Sequence, residues 1–180
     1  MKKSLSFSIL FLVFFIHLTW CQTKQENISN VKWGKAGSHP SEYNMGGDPF
    51  SVSVDQTGFV KSIGDNPEGF GTWMTSIKPG KYLGKRVKLS VNLKSNDVEK
   101  WASMWMRVDG KGKEILSFDN MQDRSLKGND SWKTYDIVLD VPSNSAYISY
   151  GVMLSGKGQI WAKDLQFQIV NESVPVTNMN

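Results

Sequence analysis

The residues best placed to do chemistry sit in one short stretch, Trp101 to Asp109 (WASMWMRVD). Ala102, Met104, Met106 and Val108 alternate with Trp101, Ser103, Trp105, Arg107 and Asp109. On a strand, the first set fills a core and the second faces away from it. That second face would be ordinary solvent surface except for an indole and a guanidinium two residues apart. A large aromatic beside a fork of fixed donors suits a sugar-like or planar polar ligand. The ring covers the ligand's apolar C–H face and the guanidinium bonds its hydroxyl or carboxylate oxygens. The competing reading packs Trp105 under a loop and pairs Arg107 with an acid on the neighbouring strand.

The next segment, Ser117 to Arg124 (SFDNMQDR), follows a turn at Gly110 to Gly112. A hairpin there brings Asp119 within reach of Arg107. The expected ligand set is therefore Trp105, Arg107, Asp119, Asn120 and Arg124. Trp105 stacks, Arg107 and Arg124 donate, and Asp119 and Asn120 orient them and accept from hydroxyls. Two carboxylates in one cleft would suggest glycoside hydrolysis, but Asp119 and Asp123 read more simply as an ion-pair partner and a turn residue. No catalytic role, cofactor or metal is expected.

Composition narrows the chemistry further. The chain has 180 residues, 21 Lys and Arg against 17 Asp and Glu, one Cys and two His. With one cysteine there is no disulfide framework. A net charge of +4, scattered along the chain, is no nucleic-acid footprint. Residues 1–21 read as a secretory signal, with Lys2 and Lys3 ahead of the apolar run Ile9 to Ile16. That run is too short for a transmembrane helix. Cleavage after Cys21 would leave His39 as the sole histidine and no cysteine, which excludes thiol catalysis and Cys-ligated zinc. The rival reading acylates Cys21 as a lipid anchor; Trp20, a large residue just before it, argues against this. The mature protein is expected to be secreted or periplasmic.

Strands must position these residues. Period-two alternation runs through Val87 to Leu93, Ala102 to Val108, Tyr135 to Val141, Ile148 to Leu154 and Trp161 to Ile169. Weaker strands are expected at 43–46, 57–63, 70–77 and 114–119, and a single helical turn at 95–100. Trp161, sharing the parity of Leu165, Phe167 and Ile169, is expected in the core. Trp132 should cap the core edge, and Trp73 marks a Gly-interrupted strand. Turn signals, such as Pro79-Gly80 and Gly156-Lys157-Gly158, separate the runs. Eight or nine antiparallel strands imply an all-β, two-sheet antiparallel β-sandwich of jelly-roll type, since one apolar sheet face must be covered by another. The folded domain is expected at 33–170, between mobile segments at 22–32 and 171–180.

Several runs resemble a bacterial sandwich domain found in exported proteins and appended to some transcriptional regulators. They are PEGFGTWM (67–74), YLGKRVKLSVNLKSNDV (82–98), WMRVDG (105–110), FDNMQDRSLKG (118–128), IVLDVP (137–142) and GQIWAKDLQF (158–167). The topology is more distantly similar to galactose-binding-like jelly rolls and carbohydrate-binding modules. Members of the family tend to carry Gln at the position of Thr75 and an acid at that of Lys163, so contacts by those side chains differ here. The regulators add a helical DNA-binding domain, which is not expected within this sequence. The resemblance implies a non-catalytic binding module for a carbohydrate or similar polyol. The alternative is a protein–protein interaction or assembly domain with no small-molecule ligand.

Overall fold

A computed structural model describes residues 31–177 other than Lys113. The expected secretory signal at residues 1–21, with Cys21, lies outside the described residues. Among the described residues eleven strands, β1 to β11, form two antiparallel sheets. Sheet A has the order β1 (Gly34–Gly37), β4 (Phe70–Ile77), β10 (Ser145–Ser155), β6 (Val98–Gly110) and β7 (Ile115–Asp119), with β8 (Leu126–Gly128) also pairing β6. Sheet B has the order β2 (Tyr43–Gly46), β3 (Gly58–Ser62), β11 (Gln159–Val170), β5 (Lys85–Asn96) and β9 (Lys133–Val141). The expected two-sheet sandwich is the observed architecture. The strands β1 and β8, each under five residues, carry no alternation from which to read them.

The alternating residues explain why the sheets close on one another. Val87, Leu89, Val91 and Leu93 of β5 and Ile137, Leu139 and Val141 of β9 meet Ala102, Met104, Met106 and Val108 of β6 and Ile148, Tyr150, Val152 and Leu154 of β10. Each fully buried aliphatic side chain contributes about 1.5–3 kcal/mol relative to exposure. At one end of the core, Trp73 stacks on Trp33 at 6.3 Å and donates through Nε1 to the Gly47 carbonyl at 3.1 Å. Gly71 on the same strand accommodates Tyr43, whose ring Cγ would lie 2.6 Å from a Cβ there.

Three expectations change. Residues 95–100 make no helical turn: β5 runs to Asn96, β6 begins at Val98, and Asp97 alone, at φ 53°, carries the chain from one sheet to the other. Trp161 is not in the core. Ile160 and Ala162 point inward, so Trp161 and Lys163 face outward, paired with Lys94 and Asn92 of β5. A bulge at Asp164 (φ 54°) then inserts one residue and restores Leu165 and Phe167 to the core. Trp132 lies on that same outer face, where the Lys163 ammonium sits 5.1 Å above its ring. The described part of the tail, residues 171–177, is hydrogen-bonded to sheet B. Arg86 donates to the carbonyls of Glu172 and Val174, while the Thr177 amide donates to the Val138 carbonyl at 2.8 Å.

Candidate ligand-binding face

The register of sheet A decides which predicted residues meet. In β6, Trp105 lies opposite Gly151 of β10, which lies opposite Met74 of β4. Ser103 lies opposite Met153, and Met153 opposite Thr72. Arg107 lies between Ser149 of β10 and Phe118 of β7, with Ser76 beyond Ser149. These side chains share the outer face of sheet A, turned away from the sandwich core.

Asp119 does not join them. Directly opposed residues of an antiparallel pair share a face. Asp119 opposes Met106, whereas Arg107 opposes Phe118, so the carboxylate points to the interior. It is fully buried. Its Oδ2 accepts from Arg124 Nη2 at 2.5 Å and its Oδ1 from the Met121 amide at 2.7 Å. Arg124 also donates to Asp123 and to the Asp136 carbonyl of sheet B, which puts it between the two sheets. Asn120 Oδ1 accepts from the Gln122 amide at 3.1 Å, a local turn contact. The expected single cluster is thus two groups: Trp105 and Arg107 on a sheet face, and Asp119, Asn120 and Arg124 in a turn that ties the sheets together.

Arg107 instead takes its counter-ion from its own strand. Its Nε lies 2.9 Å from Asp109 Oδ1, two residues along on the same face. Among the described residues its two terminal nitrogens make no hydrogen bond, and its side chain is 41% exposed. Trp105 is not the open stacking plane expected of it. The residue is 8% exposed and its Nε1 donates to Thr72 Oγ1 at 2.8 Å. Ser76 and Ser149 share a hydroxyl–hydroxyl bond of 2.7 Å beside Arg107. Ser103 is fully buried and its hydroxyl has no partner. An unpaired buried hydroxyl costs about 1–3 kcal/mol. Its neighbour one turn of the pleat away was singled out in the sequence, but Ser103 itself gave no signal, because a serine on the outer face of a strand normally bonds water.

No known protein-family profile matches the chain. It is homologous to an uncharacterised helix-turn-helix transcriptional regulator of Bacillus subtilis, YbfP, with 46% identity over 161 residues, or 87% of this chain. It spans about half of that protein, 55% of its length. The fold is similar to that of carbohydrate-binding modules. A family 4 module gives a TM-score of 0.53 at 12% identity over 82% of this chain and 93% of its own. The xylan-binding family 22 module of Paenibacillus barcinonensis Xyn10C gives 0.51 at 11% identity over 77% and 86%. A family 16 module gives 0.50 at 9% identity over 70% and 86%. The chain is therefore an all-β sandwich like the jelly rolls of carbohydrate-binding modules, and these likenesses concern the fold.

Proposed function

We propose that the chain is a non-catalytic carbohydrate-binding module whose ligand meets the outer face of sheet A at Arg107, beside Trp105. The observation that carries this reading is an unspent fork of donors: the terminal nitrogens of Arg107, whose side chain is 41% exposed, find no partner among the described residues. Sugar hydroxyls accept from such a guanidinium. Arg107 is the accessible contact, and Trp105 and the Ser76–Ser149 pair form the floor beside it. Export by the N-terminal segment would place the module where polysaccharides are met.

Calorimetric titration with xylohexaose, cellohexaose and laminarihexaose tests the reading. At least one should bind, with Arg107→Ala weakening it about tenfold, which corresponds to ~1.4 kcal/mol. Ser103→Ala, at a buried hydroxyl, should leave binding unaltered and the fold as stable or more so. Binding unaltered in Arg107→Ala, or no saturable heat with any glycan, rejects it.

A further inference from the structure

The outer face of sheet B carries a second arrangement, independent of the first. Across it run Phe59 of β3, Trp161 of β11, Lys94 of β5 and then Trp132, which immediately precedes β9. Phe59 opposes Trp161, and Trp161 opposes Lys94. Trp132 follows in the same row because Leu93 opposes Lys133. All four side chains are partly exposed. The two indoles are two strand spacings apart, about 10 Å, a separation a disaccharide unit spans.

A lysine lies over each indole. Lys94 Nζ lies 5.1 Å from the Trp161 ring centroid and Lys163 Nζ lies 5.1 Å from that of Trp132. Lys163 has Asp164 Oδ2 at 3.6 Å as counter-ion, and that carboxylate is already shared with Asn92 Nδ2 at 2.7 Å. Among the described residues Lys94 has no carboxylate within ion-pair distance, and neither has Lys61, which shares this face beside Gln159. Two aromatic platforms therefore come with positive charge set at their faces, that of Lys94 without a counter-ion among the described residues and that of Lys163 shared with Asp164.

The geometry points to the outer face of sheet B as a binding site for an acidic glycan. Trp161 and Trp132 would take the sugar faces, and Lys94, Lys163 and Lys61 the carboxylates of uronate residues. Neutral glycans do not meet the charge, and a purely acidic peptide does not use the paired rings. Sugar rings lie on indoles through their C–H faces, and the lysines shift aside to the ring-borne carboxylates at their edges. Asn92 and Thr134, joined by a 2.6 Å bond in the next row of the sheet beside Lys163, offer polar groups to sugar hydroxyls. The site stands or falls separately from the one on sheet A.

The test is calorimetry of the mature protein with hexagalacturonate, its methyl ester and a single-stranded oligonucleotide, at low and high salt. The acidic oligomer should bind, weaken as salt rises, and lose about tenfold in affinity in Lys94→Gln. Trp161→Ala should remove saturable binding. Arg107→Ala should leave it unchanged, which separates this site from that on sheet A. Lys94→Gln, a surface change, decides the matter even where Trp161→Ala fails to fold. No saturable heat with hexagalacturonate, equal binding of its methyl ester, wild-type affinity in Lys94→Gln, or tighter binding of the oligonucleotide overturns the inference.

Discussion

Trp105 on β6 reaches Thr72 on β4 across the whole width of β10, its Nε1 donating to the threonine hydroxyl at 2.8 Å. The residue of β10 opposite Trp105 is Gly151, and a Cβ there would lie 2.8 Å from Met74 Cβ and 2.5 Å from the Trp73 carbonyl oxygen. Glycine thus leaves the gap over which the indole crosses. The Thr72 hydroxyl in turn donates a hydrogen bond to the Val152 carbonyl at 2.9 Å, so the three strands are cross-linked in a chain of two bonds. Thr72→Val removes the acceptor and strands a buried N–H, so stability should fall by about 1–3 kcal/mol. Trp105→Ala should cost about 3–5 kcal/mol. Urea midpoints at unchanged m-value measure both. A Thr72→Val protein as stable as wild type would mean the bond is not formed in solution.

The ion pair of Asp119 and Arg124 is of a different kind from its neighbours. The aspartate side chain is fully buried and the arginine side chain 33% exposed, while Asp123, the other partner of Arg124, is 77% exposed. Removing the arginine leaves a buried carboxylate with only the Met121 amide for company. Arg124→Ala should therefore destabilise by about 3–5 kcal/mol, whereas Asp123→Ala should cost under about 1 kcal/mol. The double variant Asp119→Ala, Arg124→Ala should cost less than the sum of the singles, which a double-mutant cycle reads directly.

The strands that carry these residues were legible because alternation is local: Val87 to Leu93 and Ile148 to Leu154 state their own faces. Contacts between strands were not, since they depend on register. A shift of one residue exchanges Asp119 for Phe118 opposite Arg107, and so turns the proposed partner inward. Trp161 failed for a related reason. Its parity relative to Phe167 was read across a bulge at Asp164, and a lone aspartate, though it tolerates a left-handed backbone better than most residues, does not by itself mark one. The anchoring of residues 171–177 was hidden too, because it uses backbone carbonyls that Arg86 finds in three dimensions.

Arg86 also makes the stability pH-dependent. Its Nε and Nη2 bond both oxygens of Asp140, at 2.8 and 3.0 Å, while Nη1 holds the tail. These bonds hold the Asp140 pKa below its ordinary 3.8, with partial burial opposing and the arginine charge adding. A carboxylate whose folded pKa is depressed contributes stability that is present above the unfolded pKa and lost as pH falls through the folded one. Stability should therefore decline from about the ordinary aspartate value downward. Asp140→Asn should flatten that part of the curve. Equilibrium unfolding of both proteins over the acid range checks it, and identical slopes would remove Asp140 from the account.

The bulge at Asp164 is the device that places Trp161 outside while keeping Leu165 and Phe167 inside, and its backbone can be tested directly. Asp164 and Leu165 together oppose Val91, the β5 residue between Asn92 and Ser90, and their amides donate to the carbonyls of Ser51 and Pro49 at 3.1 and 3.0 Å. At φ 54° an L-residue is strained, least for Gly, Asn and Asp and most for β-branched side chains. Asp164→Gly should keep the fold, losing the Asn92 bond and the Lys163 ion pair, while Asp164→Val should cost about 1–3 kcal/mol. Deleting Asp164 removes the extra residue, so Trp161 and Phe167 would be forced to the same face. Either the indole and the Lys163 ammonium enter the core or Leu165 and Phe167 leave it, and the deletion variant should not fold. Circular dichroism with tryptophan fluorescence checks this; a cooperatively folded deletion variant with native emission would show that the bulge does not set the faces of β11.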